Sequence, residues 1–171
     1  PMIGTGLPLS FGLKTAAGTY TVVGTNSTTG CFRTMTGTTT IAINPLPVLQ
    51  FVTGGGNYCV GGTGVPVGLA NSATGINYQL YNGTTPVGSP VAGSTGAAIS
   101  FGLQTALGTY SVVATNTTTL CTATMSGTVT VGTYPLPVVY NVTGGGNYCS
   151  GGAGVNVGLS GSNSGVTYQL M

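Results

Sequence analysis

The stretch FGLQTALGTYSVVATN, residues 101–116, decides how this chain folds. Its second half carries apolar and β-branched residues in a near-alternating run, SVVAT, which is the pattern of a half-buried strand. A tyrosine opening such a strand, Tyr110, fits a tyrosine corner on the penultimate strand of an antiparallel sandwich, where the hydroxyl bonds back to backbone just upstream. The stretch also has a counterpart. FGLKTAAGTY at 11–20 matches FGLQTALGTY at 101–110 in eight of ten positions, at an offset of 101 − 11 = 90.

The same offset governs VTGGGNYC, at 52–59 and 142–149, and the Pro-containing boundaries NPLP at 44–47 and YPLP at 134–137. Self-similarity at a fixed period marks a repeat architecture. One complete unit spans about Val48 to Pro137. Residues 1–47 correspond to the C-terminal half of a unit and 138–171 to its N-terminal part. The two flanks lack only the counterpart of NGTTPVGSPV, the polar, turn-rich segment at 82–91. The opening PMIGTG reads as the interior of something longer, and the expectation is either a window on a continuous array or subunits that complete one another. Within the complete unit, strands are expected near 48–53, 65–71, 76–81, 97–101, 108–115 and 122–133, with a weaker one near 85–91. No window shows a 3.6-residue period. The expected class is all-β: tandem antiparallel β-sandwich repeats of 90 residues.

Composition excludes several classes of function. The 171 residues include two Lys+Arg, no Asp or Glu and no His. General acid–base catalysis and activated nucleophiles need such side chains, so no enzyme is expected and no catalytic residue can be nominated. No cofactor or metal site is expected either, because the four cysteines include no C-x₂₋₄-C pair. A net charge of +2 cannot neutralise enough phosphates for nucleic acid, and Lys14 and Arg33 form no cluster. No run of about 18 apolar residues suggests a membrane span. With 41% hydrophobic residues and nine Tyr the chain is not of the disordered class. Near-zero charge favours association, which points to a chain that assembles, is coated, or both.

Other motifs have plain structural readings. The GGG runs at 54–56 and 144–146 are followed by no Lys and open no helix, so they read as turn and bulge glycines rather than a phosphate loop. The sequons at Asn26, Asn82, Asn116 and Asn141 are candidate glycosylation sites, Asn26 and Asn116 at equivalent turns. The tyrosines read as core residues with hydroxyls at the edge before they read as a sugar platform.

PLPVVYNVTGGGNYCSGGAGVNVGLSGSNSGVTYQL and FGLQTALGTYSVVATNTTTLCTATMSGTVTV resemble the tandem Ig-like repeats of very large secreted and cell-surface proteins of Bacteroidota, many of them type IX secretion cargo. The resemblance covers essentially the whole chain. It implies an Ig-like sandwich and an extracellular or cell-surface role in adhesins, stalks or fibres. The chain departs from antibody-type domains in having Val112 two residues after Tyr110 in place of Cys, and Leu80 near the place of the core Trp, so any disulfide is a different one.

Four cysteines, Cys31, Cys59, Cys121 and Cys149, leave two plausible pairings. In one, Cys59 bonds Cys121 within the complete unit, while Cys31 and Cys149 bond neighbouring copies. In the other, Cys31 bonds Cys59 and Cys121 bonds Cys149, stapling unit to unit across the PLP boundary. The first is preferred, since small domains in oxidising compartments commonly close their own long loop, here worth about 4 kcal/mol in the chain-entropy model. The expected function is a structural subunit or repeat segment of an extracellular bacterial filament whose partner is the chain itself, with glycans as a further partner. The alternative is an adhesin module recognising glycan or a neighbouring cell surface.

Overall fold

The computed structural model describes residues 1–171 and contains strands without helices. In chain order the N-terminal segment holds β1 (Gly18–Tyr20), β2 (Val23–Thr25), β3 (Phe32–Thr34) and β4 (Thr39–Ile41). The central segment holds β5 (Val52–Gly54), β6 (Gly56–Cys59), β7 (Val65–Leu69), β8 (Ile76–Asn82), β9 (Thr85–Ala92), β10 (Ile99–Gln104), β11 (Gly108–Asn116), β12 (Thr122–Thr124) and β13 (Val129–Tyr134). The C-terminal segment holds β14 (Val142–Gly144) and β15 (Val157–Leu159).

The protein is all-β, with mostly antiparallel sheets. In the central segment one three-stranded sheet runs β10-β7-β5, and a six-stranded one runs β6-β13-β11-β8-β9 with β12 also on β11. A single core joins them: Val67 and Leu69 of β7 and Ile99 of β10 pack with Tyr78 and Leu80 of β8, Tyr110, Val112 and Ala114 of β11, and Val131 of β13. The alternation that makes β11 a strand also sets its faces. Tyr110, Val112 and Ala114 are buried while Ser111, Val113 and Thr115 are half-buried on the other face, as the two-residue period of a strand requires. The Tyr110 hydroxyl donates to the Ala106 carbonyl at 2.7 Å, the bond expected of a tyrosine opening this strand.

The GGG run has a more specific task than a turn. β5 pairs antiparallel with β7 in the three-stranded sheet, whereas β6 pairs parallel with β13 in the six-stranded one, so the chain changes sheets between them. Gly54, Gly55 and Gly56 all have positive φ (89°, 74° and 119°). A Cβ at Gly54 would collide with the Pro66 carbonyl, and one at Gly55 would lie 2.8 Å from the Thr130 carbonyl oxygen. Only glycine combines that backbone with so close an approach.

Several boundaries differ from expectation: β5 begins at Val52 rather than near 48, and β10 runs Ile99–Gln104 rather than 97–101. The run 122–133 is two strands, because the backbone around Gly127 (φ 77°) loops out of register between them. Residues 56–59 form a strand, β6, where the Gly-rich composition suggested only a turn.

The flanking segments repeat central pairings at the sequence offset. Gly18↔Ile41 parallels Gly108↔Val131, Val23↔Thr34 parallels Val113↔Thr124, and Val142↔Leu159 parallels Val52↔Leu69. Local bonds repeat as well: the Tyr20 hydroxyl donates to the Ala16 carbonyl at 2.8 Å, as Tyr110 does to Ala106.

Candidate functional site

The flanks form the same pairings without the core that goes with them. Leu69 is fully buried and its offset partner Leu159 is 38% exposed; Leu80 is 1% exposed and Leu170 74%. On the other flank Val112 is fully buried and Val22 38% exposed, while Met125 at 3% compares with Met35 at 44%. Each flank therefore presents an apolar groove. One of about 600 Å³ is lined by Phe11, Leu13, Tyr20, Val22, Val23 and Ile41. The other, about 410 Å³, is lined by Val142, Val157, Leu159, Tyr168 and Leu170. In the central segment the counterparts of the first set, such as Tyr110, Val112 and Val131, pack directly on counterparts of the second, such as Val67, Leu69, Tyr78 and Leu80. The two grooves are both apolar, and each is lined by the offset counterparts of one side of the central core.

The cysteines require a correction. The preferred bond between Cys59 and Cys121 needs both to stand at one end of the sheet, but the parallel pairing of β6 with β13 places Cys59 beside Tyr134 at the far end of β13. Cys121 precedes β12, where Thr122 faces Thr115 near the end of β11. Gly108, the first residue of β11, faces Val131, so Cys59 and Cys121 lie beyond opposite ends of β11. Nine residues at about 3.3 Å each separate them by roughly 30 Å, against a Cα separation of about 4.4–6.8 Å for a disulfide. The clasp within the unit is excluded by this geometry. All four thiols are free; Cys31, Cys59 and Cys149 are exposed and Cys121 is half-buried.

The segment consequently has two poles. The chain enters from one, running parallel to the β12 segment until Phe51 bridges Ser126 midway along the sheet, and leaves from the other after Tyr134. The departure pole carries Cys59, Val60, Leu107 and Tyr134, all exposed, and the Tyr58 hydroxyl ties it down by donating to the Thr105 carbonyl at 2.6 Å. The arrival pole carries Cys121 and Leu120, the only non-glycine residue with positive φ (58°), its side chain 72% exposed. Gly30 stands at the offset position with φ 72°. Sequence reasoning overlooked Leu120; comparing it with Gly30 across the repeat was the signal.

The sequon asparagines sit at turns. Asn116 Oδ1 accepts from the Thr118 and Thr119 amides at 2.9 and 3.0 Å, and Asn26 Oδ1 accepts from Thr28 and Thr29 at the same distances. Both leave Nδ2 outside those bonds. Asn82 Nδ2 instead donates to the Leu107 carbonyl at 3.2 Å, which a glycan there would disturb. Asn141 is exposed. Lys14 and Arg33 lie on the exposed N-terminal segment. No group of three or more metal-ligating side chains occurs, and no helix is long and apolar enough to cross a membrane.

No known family model matches the chain, and no curated protein shows significant similarity to it.

Proposed function

We propose that this chain is a structural subunit or repeat segment of an extracellular bacterial filament or stalk, built head-to-tail from 90-residue Ig-like β-sandwich units. One observation carries the reading: the exposed apolar faces of residues 1–47 and 138–171 are the register counterparts of the two sides of the central core. On this reading residues 48–137 are one complete unit, and a segment like 138–171 meets a segment like 1–47 to make the next, whether in a head-to-tail polymer or a continuous array. The tyrosine corner at Tyr110 and the parallel pairing of β6 with the last strand support the Ig-like assignment.

Burial supplies part of the driving energy. Val22, Met35, Val157, Leu159 and Tyr168 are 38–48% exposed and Leu170 74%, so covering what remains open, at about 1.5–3 kcal/mol for a fully exposed side chain, yields roughly 4–8 kcal/mol. That is comparable with the roughly 4–15 kcal/mol cost of association. Contacts that pass from each copy to the next without closing make filaments. The chain's function is then mechanical, and two charges in 171 residues leave its assembly little dependent on salt. An extracellular setting, a bacterial surface of the Bacteroidota type and glycans on Asn26 and Asn116 complete the proposal.

Electron microscopy of the 171-residue chain tests it. A continuous fibre is expected, with an axial step of about 35–45 Å per unit from strands rising about 3.3 Å per residue. Leu170→Asp or Val22→Asp, both at exposed positions that the central core does not use, should leave the central unit folded and abolish fibres. Fibres that survive both changes, or particles that stay single in the unmodified chain, would sink the reading and favour an adhesin module.

A further inference from the structure

We propose that the cysteines join copies rather than close units: Cys59 of one copy bonds Cys31 of the next, and Cys149 of the first bonds Cys121 of the next. The proposal rests on the head-to-tail reading above and names its covalent part.

Within the central unit Cys59 ends β6, which pairs with β13, and Cys121 leads into β12, which pairs with the same strand β11 as β13 does. The two cysteines therefore lie on neighbouring strand lines of one sheet, about 4.8 Å apart sideways, and at opposite ends along the strands. Stacking one unit on the next with the chain direction preserved brings a departure pole against an arrival pole. With about 4.8 Å sideways, a Cα separation within the roughly 4.4–6.8 Å that a disulfide spans requires the two poles to close to within about 5 Å along the strand direction.

The flanks carry the same two cysteine positions. Cys31 is offset from Cys121 by 121 − 31 = 90, and Cys149 from Cys59 by 149 − 59 = 90. Their backbone settings match. The Asn26 amide donates to the Cys31 carbonyl at 2.8 Å and the Asn116 amide to the Cys121 carbonyl at 2.9 Å; Gly62 and Gly152 donate to the Cys59 and Cys149 carbonyls at 2.8 and 2.9 Å. In a unit made from residues 138–171 of one copy and 1–47 of the next, Cys31 occupies the arrival pole and Cys149 the departure pole. Following the chain, Cys59 then faces Cys31 of the next copy, and Cys149 faces that copy's Cys121. The two segments cannot meet within one copy, because they are attached at opposite poles of the central unit.

Apolar side chains surround the proposed contacts. Val60, Leu107 and Tyr134 are exposed at one pole and Leu120 at the other. Leu120 holds a left-handed backbone that its counterpart gives to glycine, so its side chain is retained against a local cost. At a pole-to-pole junction that side chain is buried beside the disulfide.

Each bond forms by exchange with a small-molecule disulfide. One protein thiolate attacks it and releases one small thiol; the second protein thiolate then displaces the other. Two cysteine thiols lose two electrons and two protons in all, and one small disulfide becomes two thiols.

The test uses an equal mixture of ¹⁵N-labelled and unlabelled chain, assembled under reducing conditions, imaged, then treated with oxidised glutathione and digested with chymotrypsin without reduction. Linked peptides joining Cys31 to Cys59 and Cys121 to Cys149 are expected, with mixed-isotope pairs among both. A Cys59–Cys121 link, links of uniform isotope only, or intact fibres whose thiols all remain open to alkylation would overturn the proposal while leaving the fibre reading standing. Failure to form fibres even before oxidation would overturn the head-to-tail reading itself. Cys59→Ser, at an exposed position, should remove the first link, keep the second and leave the fold unchanged.

Discussion

Tyr110 is buried at the start of β11 and uses its hydroxyl on the Ala106 carbonyl, so one residue fixes both the core and the loop before the strand. Tyr110→Phe keeps the ring and removes the bond, and should cost about 1 kcal/mol in denaturant unfolding. Burial also pushes the Tyr110 phenol above its ordinary value, with a smaller push from Tyr58, against a hydrogen bond from Asn82 that lowers it. The folded state therefore holds this proton more tightly than the unfolded one. The stability it contributes is complete below the unfolded value near pH 10 and is lost as pH climbs through the raised value. With no carboxylate or imidazole side chain in the sequence, unfolding midpoints should be flat from about pH 4 to 9 and fall above 10. A marked drop on the acid side would contradict this. At Leu120 the left-handed backbone costs about 1–2 kcal/mol, part of which glycine's greater unfolded-state freedom cancels. Leu120→Gly should thus raise the stability of the single chain by about 0.5–1 kcal/mol while weakening fibres.

The crossing from β5 to β6 is the element on which both sheets depend. Gly55→Ala combines positive φ with a collision against Thr130 and Val129 and should destabilise by roughly 3 kcal/mol or more. Gly61→Ala has a similar φ of 81° but open space around its Cβ, so about 1 kcal/mol is expected there. Equal effects at the two sites, measured by thermal or denaturant unfolding, would show that crowding at the crossing does not matter. The alternating strands β8 and β11 were legible in the sequence because one face of each is buried against the other sheet, which imprints a two-residue period. β6 was not legible. Its residues GNYC have no such alternation, and it is a strand because β13 offers a parallel edge once the GGG run has turned the chain.

For the whole molecule, the contrast is between one segment with a closed core and two flanks with open ones. Leu80→Ala should cost about 2–5 kcal/mol in unfolding of the central unit. Leu170→Ala, at the offset position with the side chain exposed, should change that unfolding by less than about 0.5 kcal/mol. Only in assembled fibres should the two losses become similar.

The 90-residue offset, the all-β class and the near absence of acidic and basic side chains follow from composition and periodicity alone, since each is a property of residues read in order. Where the cysteines stand is different in kind. Cys59 and Cys121 are 121 − 59 = 62 residues apart along the chain, and nothing in that count says whether the intervening strands return to the starting pole. That depends on which strand pairs with which and in what direction. The parallel register of β6 on β13 sends Cys59 to one end of the sheet, while the antiparallel hairpin of β11 and β12 leaves Cys121 at the other.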